Sequence, residues 1–226
     1  MVEIAPLPGV SQLTESQRDA LARAADQLGI PVDWLATVIS FETGGTFSPT
    51  VRNKAGSGAF GLIQFMPSTA QNILGTATRD EAVEIGLAMS FEEQLERMVI
   101  PYLAGKSYNE LEDVYLQIFY PAARNRPSDY VVGQSPSAVY RQNQGFDRDG
   151  KGYITKGDIT RTVNNLYARA KGLPTPPPAA PPLEAPKSSW TQKIIGAALA
   201  AGAYYLVQKK TTWLPAKFRW PKRWTI

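Results

Sequence analysis

The set of side chains that could carry chemistry in this chain is small, because the chain contains neither cysteine nor histidine. Disulfide bonds and thiolate metal sites are therefore impossible. Catalysis by a Ser/His or Cys/His pair is excluded, and so is zinc bound by imidazole groups. Any hydrolytic or lyase chemistry must depend on carboxylates.

Glu42 is the carboxylate whose sequence position is most informative. It ends the apolar stretch 38–41 and is followed by the glycine-containing run 43–49. A carboxyl group at the end of a hydrophobic helix is shielded from water, which raises its pKa and keeps it protonated near neutral pH. Cleavage of a glycosidic bond needs such an acid to protonate the leaving oxygen. The apolar side chains expected to surround it are Phe41, Phe47, Phe60 and Ile63.

A block of motifs follows Glu42 at close spacing. It consists of Pro49, the run Gly58-Ala59-Phe60-Gly61-Leu62-Ile63-Gln64 and the pair Met66-Pro67. Together with Glu42, the block resembles the catalytic core of soluble lytic transglycosylases, which belong to the lysozyme superfamily and cleave peptidoglycan. It is most similar to the variant of that domain carried by tailed-phage particles. The resemblance is strong over residues 30–125 and moderate over residues 126–170.

The resemblance implies a lysozyme-like domain that binds peptidoglycan glycan strands and cleaves the MurNAc-GlcNAc β-1,4 bond. Glu42 would act first as the acid and then as the base while the 6-hydroxyl of the sugar closes an anhydro ring. Glycine would let the sugar approach the backbone closely, and an amide side chain would bond to it. The residues expected to bind substrate are Ser57, Phe60, Gly61, Gln64 and Tyr120. A muramidase-type hydrolase would use the same glutamate, so the product stays open.

Two single positions and one segment depart from the family pattern. Thr43 and Ala55 stand where many members have serine, and the motif Ala-Tyr-Asn-Ala-Gly survives only as Phe119-Tyr120-Pro121-Ala122-Ala123. Two alternatives to an enzyme therefore stay open. One is a structural virion or tail adaptor with an inactive lysozyme-like domain, and the other is a membrane-active ejection or lysis protein.

Residues 147–158 have the spacing of an EF-hand calcium loop. Lys151 takes the fifth position, where an oxygen ligand is usual, and its ammonium group could take over part of the charge of a cation. The sequence therefore leaves two states open, a structural calcium site and a metal-free remnant of one, and it predicts no cofactor for catalysis. The candidate calcium ligands are Asp147, Asp149, the carbonyl of Tyr153, Thr155 and Asp158.

Helices are expected to position these groups. Capping-box patterns begin at Thr14, Ser90 and Asn109, each with Gln or Glu three residues later, and Gly29 is a good stop for the first of these helices. A helix starting near Pro31 should end at or near Glu42, with its core face formed by Leu35, Val38 and Ile39, and Pro101 should bend or shorten the helix after Ser90. No run alternates in the manner of a strand. We therefore predict an all-α, predominantly helical fold.

The composition indicates three segments. Residues 1–172 form the predicted domain, and residues 173–189 form a Pro-rich, extended linker. Residues 190–226 form a predicted basic, Trp-rich helix and tail, and residues 187–226 contain eight Lys or Arg and no acid. The apolar stretch 194–207 is short for a membrane span. Membrane contact through 190–210 and packing on other virion or tail proteins through 173–226 are equally open, whereas sequence-specific nucleic-acid binding is not expected.

The N-terminus, residues 1–9, lacks the pattern of a signal peptide. For an enzyme that acts on the cell wall, this favours delivery by a virus particle. We therefore expect the protein in a phage virion, as a tail or internal protein, acting in the host periplasm or cell wall during genome entry.

Overall fold

The computed structural model describes residues 2–53 and 56–175. The fold is predominantly helical, as predicted. Residue 55, most of the predicted linker and the whole predicted tail lie outside the described residues. The helices are α1 (Glu15–Leu28), α2 (Val32–Glu42), α3 (Pro67–Leu74), α4 (Arg79–Ala88), α5 (Phe91–Gln94), α6 (Ile100–Leu103), α7 (Leu111–Phe119), α8 (Ala138–Asn143) and α9 (Lys156–Ala170), with short 3-10 turns at Val10–Gln12, Pro121–Ala123 and Gln144–Phe146.

The first two helices begin and end as the sequence predicts. The Thr14 hydroxyl accepts a hydrogen bond from the Gln17 amide, and the Gln17 side chain accepts one from the Thr14 amide, which completes the capping box of α1. Gly29 ends α1 in the left-handed conformation that glycine adopts without strain. Pro31 precedes α2, and Glu42 is the last residue of that helix. The predicted core residues of α2 (Leu35, Val38 and Ile39) are fully buried.

Pro101 disturbs its helix without ending it. The predicted capping box at Ser90 and Glu93 is present at the start of α5. The next five residues, Leu95–Val99, form a π-helical turn that leads into α6. Proline lacks an amide hydrogen and its ring clashes with the carbonyl one turn earlier, so a wider turn at this point relieves the clash.

The predicted capping box at Asn109 and Glu112 is wrong. Helix α7 begins one residue later, and Glu110 precedes it without a side-chain cap. The Asn109 amide instead donates to the Asp113 carboxylate at 3.1 Å. The Glu112 carboxylate is drawn away to the buried Lys156 ammonium, 3.1 Å from it. A long-range ion pair has therefore replaced the local cap.

The all-α prediction needs a correction, because two short strands lie between α7 and α9. Strand β1 (Val131–Gln134) pairs in antiparallel fashion with β2 (Tyr153–Thr155), and the register shifts between Val131 and Gly133. Strands of four and three residues are too short to show an alternating pattern in the sequence. The second strand lies within the EF-hand-like loop.

The core forms around α2. Helices α1, α7 and α9 all pack against it, so the helix that ends at Glu42 is held on several sides. The N-terminal segment and the end of α9 meet at Asp33 in its first turn: its carboxylate accepts from the Ala5 amide and from the Lys171 ammonium, both at 2.8 Å. Among the helices of the described residues, none combines the length and the apolarity that crossing a membrane requires.

Candidate active site

Glu42 lies at the carboxyl end of α2 and is partly buried. Burial raises the pKa of its carboxyl group from 4.5 to about 8. Its position at the negative end of the helix dipole acts in the same direction. Within the described part of the chain, the carboxyl group has neither a hydrogen-bond partner nor an ion-pair partner. Glu42 is therefore protonated at neutral pH, and its proton is not engaged in a hydrogen bond to a described residue.

Tyr115 of α7 is the tyrosine beside Glu42. Burial raises the pKa of its hydroxyl, and the negative charge of an ionised Glu42 raises it further. The ring is 3% exposed and packs edge-on against Phe41, with the centroids 5.4 Å apart. The two helices thus bring an acid and a phenol together, and at neutral pH both groups are protonated.

No motif in the sequence indicates a functional role for Tyr115. It shares one helical face with Leu111, Val114 and Ile118, a pattern that predicts only a core position. Its proximity to Glu42 depends on the packing of α7 against α2, which no local pattern contains. The signal that could have identified it is a polar hydroxyl on an otherwise apolar face.

A row of aromatic rings continues from Tyr115. The Phe119 ring stacks on it at 5.8 Å with an interplanar angle of 11°, and Phe146 meets Phe119 edge-on at 5.4 Å. We call Phe41, Tyr115, Phe119 and Phe146 the aromatic row. Phe41, Phe119 and Phe146 are partly exposed. The row therefore runs from the residue before Glu42 to the residue before Asp147.

The turn after Glu42 is fixed from both sides. The Thr43 hydroxyl donates to the Ile39 carbonyl at 2.7 Å and accepts from the Phe47 amide at 3.0 Å. Gly45 has a φ of 80°, and a side chain here would clash with Pro8 of the N-terminal segment. The Thr43 hydroxyl therefore joins the end of α2 to the turn that follows it.

The glycine-rich loop folds back on itself. The Asn53 amide donates to the Ala59 carbonyl and the Gly61 amide to the Val51 carbonyl, each at 2.8 Å. Phe60 and Phe65 exchange backbone hydrogen bonds at 3.1 and 2.7 Å. These contacts hold residues 51–53 and 56–65 together as a structured unit between α2 and α3.

Gln94 holds this loop to the helices and was not identified from the sequence. Its side chain is fully buried. Its Oε1 accepts from the Leu62 amide at 2.7 Å, and its Nε2 donates to the Pro49 carbonyl at 3.1 Å and to the Gly86 carbonyl at 2.8 Å. The capping-box pattern at Ser90 and Glu93 indicates only the start of a helix here. It contains no sign that Gln94 makes a long-range contact.

Two residues of the loop that were predicted to bind substrate serve the core. Gly61 has a φ of 80° and is buried, and a side chain at this position would overlap the Gln94 amide. Only glycine fits at position 61 while the Gln94 side chain keeps this conformation. Phe60 is fully buried against Gly86 and Phe65. Neither residue presents a surface to a glycan.

Ser57 and Gln64 remain accessible. The Ser57 hydroxyl accepts from the Ala59 amide at 3.2 Å. Gln64 has a φ of 52°, which is unusual for a residue with a side chain, and its Nε2 donates to the Gly61 carbonyl at 3.1 Å. Strained backbone of this kind is often found where a side chain is held for function. Both residues are partly exposed, and their role in binding substrate stays a prediction.

Tyr120 does not have the exposure that a stacking residue needs. It is 2% exposed at the end of α7, and burial together with the charge of Tyr130 raises the pKa of its hydroxyl to about 12. Its ring is a core side chain. Phe119, one residue earlier, is partly exposed and belongs to the aromatic row.

The EF-hand-like loop has its oxygen groups committed to protein donors. Both carboxylate oxygens of Asp158 accept from the Lys151 ammonium, at 2.9 and 2.8 Å. The Thr155 hydroxyl caps α9 in a capping box with Asp158, and Tyr153 lies in β2. Asp149 is half-exposed and lies 3.8 Å from an Arg161 nitrogen. The residues described by the structure contain no group of three or more acidic side chains that could hold a metal.

Comparison of the chain with protein-family models, curated proteins and solved structures gives no match. The geometry of the site therefore carries the functional argument.

Proposed function

We propose that this protein is a peptidoglycan-cleaving lytic transglycosylase with Glu42 as its catalytic acid and base. The observation that carries the proposal is the state of Glu42: a partly buried carboxyl with a pKa of about 8, no hydrogen-bond partner within the described residues, and a tyrosine beside it. A structural carboxylate would normally be exposed, paired or hydrogen-bonded. A proton held without a partner is suited to transfer onto a leaving oxygen.

In the proposed reaction, Glu42 donates its proton to the glycosidic oxygen as the bond to the MurNAc carbon breaks. The carboxylate left behind takes the proton from the 6-hydroxyl of the same sugar, whose oxygen closes the 1,6-anhydro ring. Glu42 then carries its proton again. The Tyr115 hydroxyl, on which the charge of Glu42 acts, would stabilise the carboxylate while the charge exists.

The binding residues that fit this proposal are Ser57 and Gln64 in the glycine-rich loop and the partly exposed rings of the aromatic row. Aromatic rings suit sugars because their faces pack against the apolar C–H faces of the ring. The resemblance to the phage-borne variant extends the proposal to a virion protein that opens the wall locally. That extension rests on the resemblance alone.

The matched pair Glu42→Gln and Glu84→Gln tests the activity. Glu84 is an exposed glutamate of α4, so its replacement makes the same chemical change away from the site. Purified peptidoglycan is digested with each protein, and the released muropeptides are examined by mass spectrometry. We expect 1,6-anhydro ends from the wild type and from Glu84→Gln, and none from Glu42→Gln.

The outcomes separate the competing functions. Reducing ends without anhydro sugars would assign a muramidase-type hydrolase to the same glutamate. Equal release by Glu42→Gln and the wild type would remove Glu42 from the mechanism. No release by a folded wild type would favour the structural adaptor, an alternative that the core roles of Phe60, Gly61 and Tyr120 keep open.

A further inference from the structure

The acidic side chains of the EF-hand-like loop are neutralised by basic side chains of the protein. The Lys151 ammonium lies 2.8 Å from the nearer Asp158 oxygen, and an Arg161 nitrogen lies 3.8 Å from Asp149. The EF-hand geometry normally directs such carboxylates at one divalent ion. Here the basic side chains of Lys151 and Arg161 pair with two of these carboxylates instead.

Asp158 is the residue most completely satisfied in this way. It is 1% exposed, so its charge would be costly without compensation. Its two oxygens accept from the Lys151 ammonium, and Oδ2 also accepts from the amide and the hydroxyl of Thr155, at 2.8 and 2.9 Å. An ion could bind this carboxylate only by displacing the ammonium.

Asp147, at the first position of the loop, is also occupied. Its Oδ1 accepts from the Lys151 amide at 2.9 Å, and its Oδ2 accepts from the Tyr140 hydroxyl at 2.7 Å and the Gly152 amide at 2.8 Å. Burial alone would raise the pKa of this carboxyl, but these hydrogen bonds and the Lys151 charge hold it below its usual value. The carboxylate is thus stabilised by donors that belong to the chain.

Lys151 itself is held in place. Its side chain is 19% exposed, and its ammonium lies 5.1 Å from the centroid of the Tyr153 ring, within the range of a cation–π contact. The lysine also contributes its amide to Asp147. One residue therefore contacts the first carboxylate of the loop through its backbone amide and the last through its ammonium group.

We propose that Lys151 is a built-in replacement for calcium, so that this loop is a metal-independent brace. The ammonium group binds the carboxylate at the last loop position, its charge repels a divalent cation, and the hydrogen bonds that it makes would be lost on metal binding. Because the cation is covalently part of the chain, the stability of the loop does not depend on the calcium concentration.

The consequence reaches the candidate active site. Phe146 precedes Asp147 and its ring contacts Phe119, so the loop fixes one end of the aromatic row. A brace that needs no ion keeps this end in place in any ionic environment. The inference concerns stability and does not depend on the proposed activity.

Three proteins test the proposal in the full chain: the wild type, Lys151→Met and Lys151→Asp. Lys151→Met removes the ammonium and adds no ligand, whereas Lys151→Asp restores an oxygen at the fifth position. Each is unfolded thermally in excess calcium chloride and in excess EGTA, and calcium binding is measured by isothermal titration calorimetry.

We expect the wild type to give the same Tm in calcium and in EGTA and no heat of binding. Lys151→Met should lose roughly 5–10 °C in Tm in both buffers, because the buried Asp158 carboxylate loses its cation. Lys151→Asp should be destabilised in EGTA and recover in calcium with a one-to-one binding heat. A stoichiometric calcium response of the wild type would overturn the proposal. So would a Lys151→Met protein as stable as the wild type, or a Lys151→Asp protein that calcium does not stabilise.

Discussion

The Phe41 ring meets the Tyr115 ring edge-on, with the centroids 5.4 Å apart. The contact joins α2 to α7 at the residue before Glu42, and it places the Tyr115 hydroxyl where the charge of Glu42 acts on it. Because the pKa of Glu42 is about 8 and that of Tyr115 is raised, both groups are protonated at pH 7. The pair therefore carries no negative charge at this pH, and the Glu42 proton is available for an oxygen leaving group.

The raised pKa of Glu42 predicts that Glu42→Gln stabilises the protein at neutral pH. Above about pH 4.5 the unfolded chain releases this proton while the folded chain keeps it up to about pH 8. The folded state then binds more protons than the unfolded state, so stability falls as pH rises through this window. Glutamine imitates the protonated acid and removes the penalty.

We expect Glu42→Gln to gain ~2–4 kcal/mol at pH 7 and little at pH 4, measured by denaturant unfolding at both values. The exposed Glu84→Gln control should differ little from the wild type at either pH. Equal stability of Glu42→Gln and the wild type at pH 7 would show that the Glu42 carboxyl is not held in its neutral form.

The same group predicts the alkaline limb of the activity. Since the acid form of the free enzyme reacts, kcat/KM for cleavage of soluble glycan strands should be level from about pH 6 and fall tenfold per pH unit above about pH 8. A limb near the ordinary glutamate value of 4.5 would contradict the role of Glu42 as the acid. Stability must be followed in parallel, so that unfolding at high pH is not taken for the titration.

We predict that Tyr115→Phe loses activity and keeps most of its thermal stability. The ring contacts with Phe41 and Phe119 remain, and only the hydroxyl near Glu42 is removed. A hydrogen bond to a charged group contributes about 1.5–3 kcal/mol, so kcat/KM should fall ~10- to 100-fold. The matched control is Tyr108→Phe, whose hydroxyl donates to the Leu103 carbonyl away from the site.

Tyr108→Phe should lose stability and keep its activity per folded molecule. Tyr115→Phe should keep its stability and lose activity. Thermal unfolding and steady-state kinetics of both variants check this. A Tyr115→Phe enzyme with full kcat/KM would leave the tyrosine as a packing residue only.

Local signals in the sequence were sufficient for the framework of the site. The box at Thr14, the stop at Gly29 and the end of α2 at Glu42 each depend on residues within one helical turn, and all three are present. The raised pKa of Glu42 also follows from its place at the end of an apolar helix.

Long-range contacts could not be predicted from the local sequence patterns. Phe60 and Gly61 match a motif, yet their exposure is decided by Gln94 and Gly86 from other helices. Asn109 and Glu112 have the spacing of a capping box, but the ion pair between Glu112 and Lys156 outweighs that local bond. A motif identifies which residues matter, and only the packing shows whether a residue faces a ligand or the core.

Gln94 provides the last prediction, because it bonds to three backbone groups: one at Pro49 before the glycine-rich loop, one at Leu62 within it and one at Gly86 in α4. Gln94→Leu fills much of the same volume but leaves the Leu62 amide and the Pro49 and Gly86 carbonyls without this partner. Unsatisfied buried groups cost about 1–3 kcal/mol each, and partial relaxation should reduce the total to ~3–5 kcal/mol. Gln71→Leu, which removes a hydrogen bond to the Ala77 carbonyl at the surface, should cost less than about 1 kcal/mol.

Hydrogen exchange distinguishes a local role of Gln94 from general destabilisation. In Gln94→Leu, amides of residues 51–65 that are bonded within the loop, such as Gly61 and Phe65, should exchange faster than those of α1. Catalytic efficiency should fall more than the folded fraction does, since Gln64 is carried by this loop. Uniformly faster exchange across the fold would instead make Gln94 an ordinary core residue whose loss is felt everywhere.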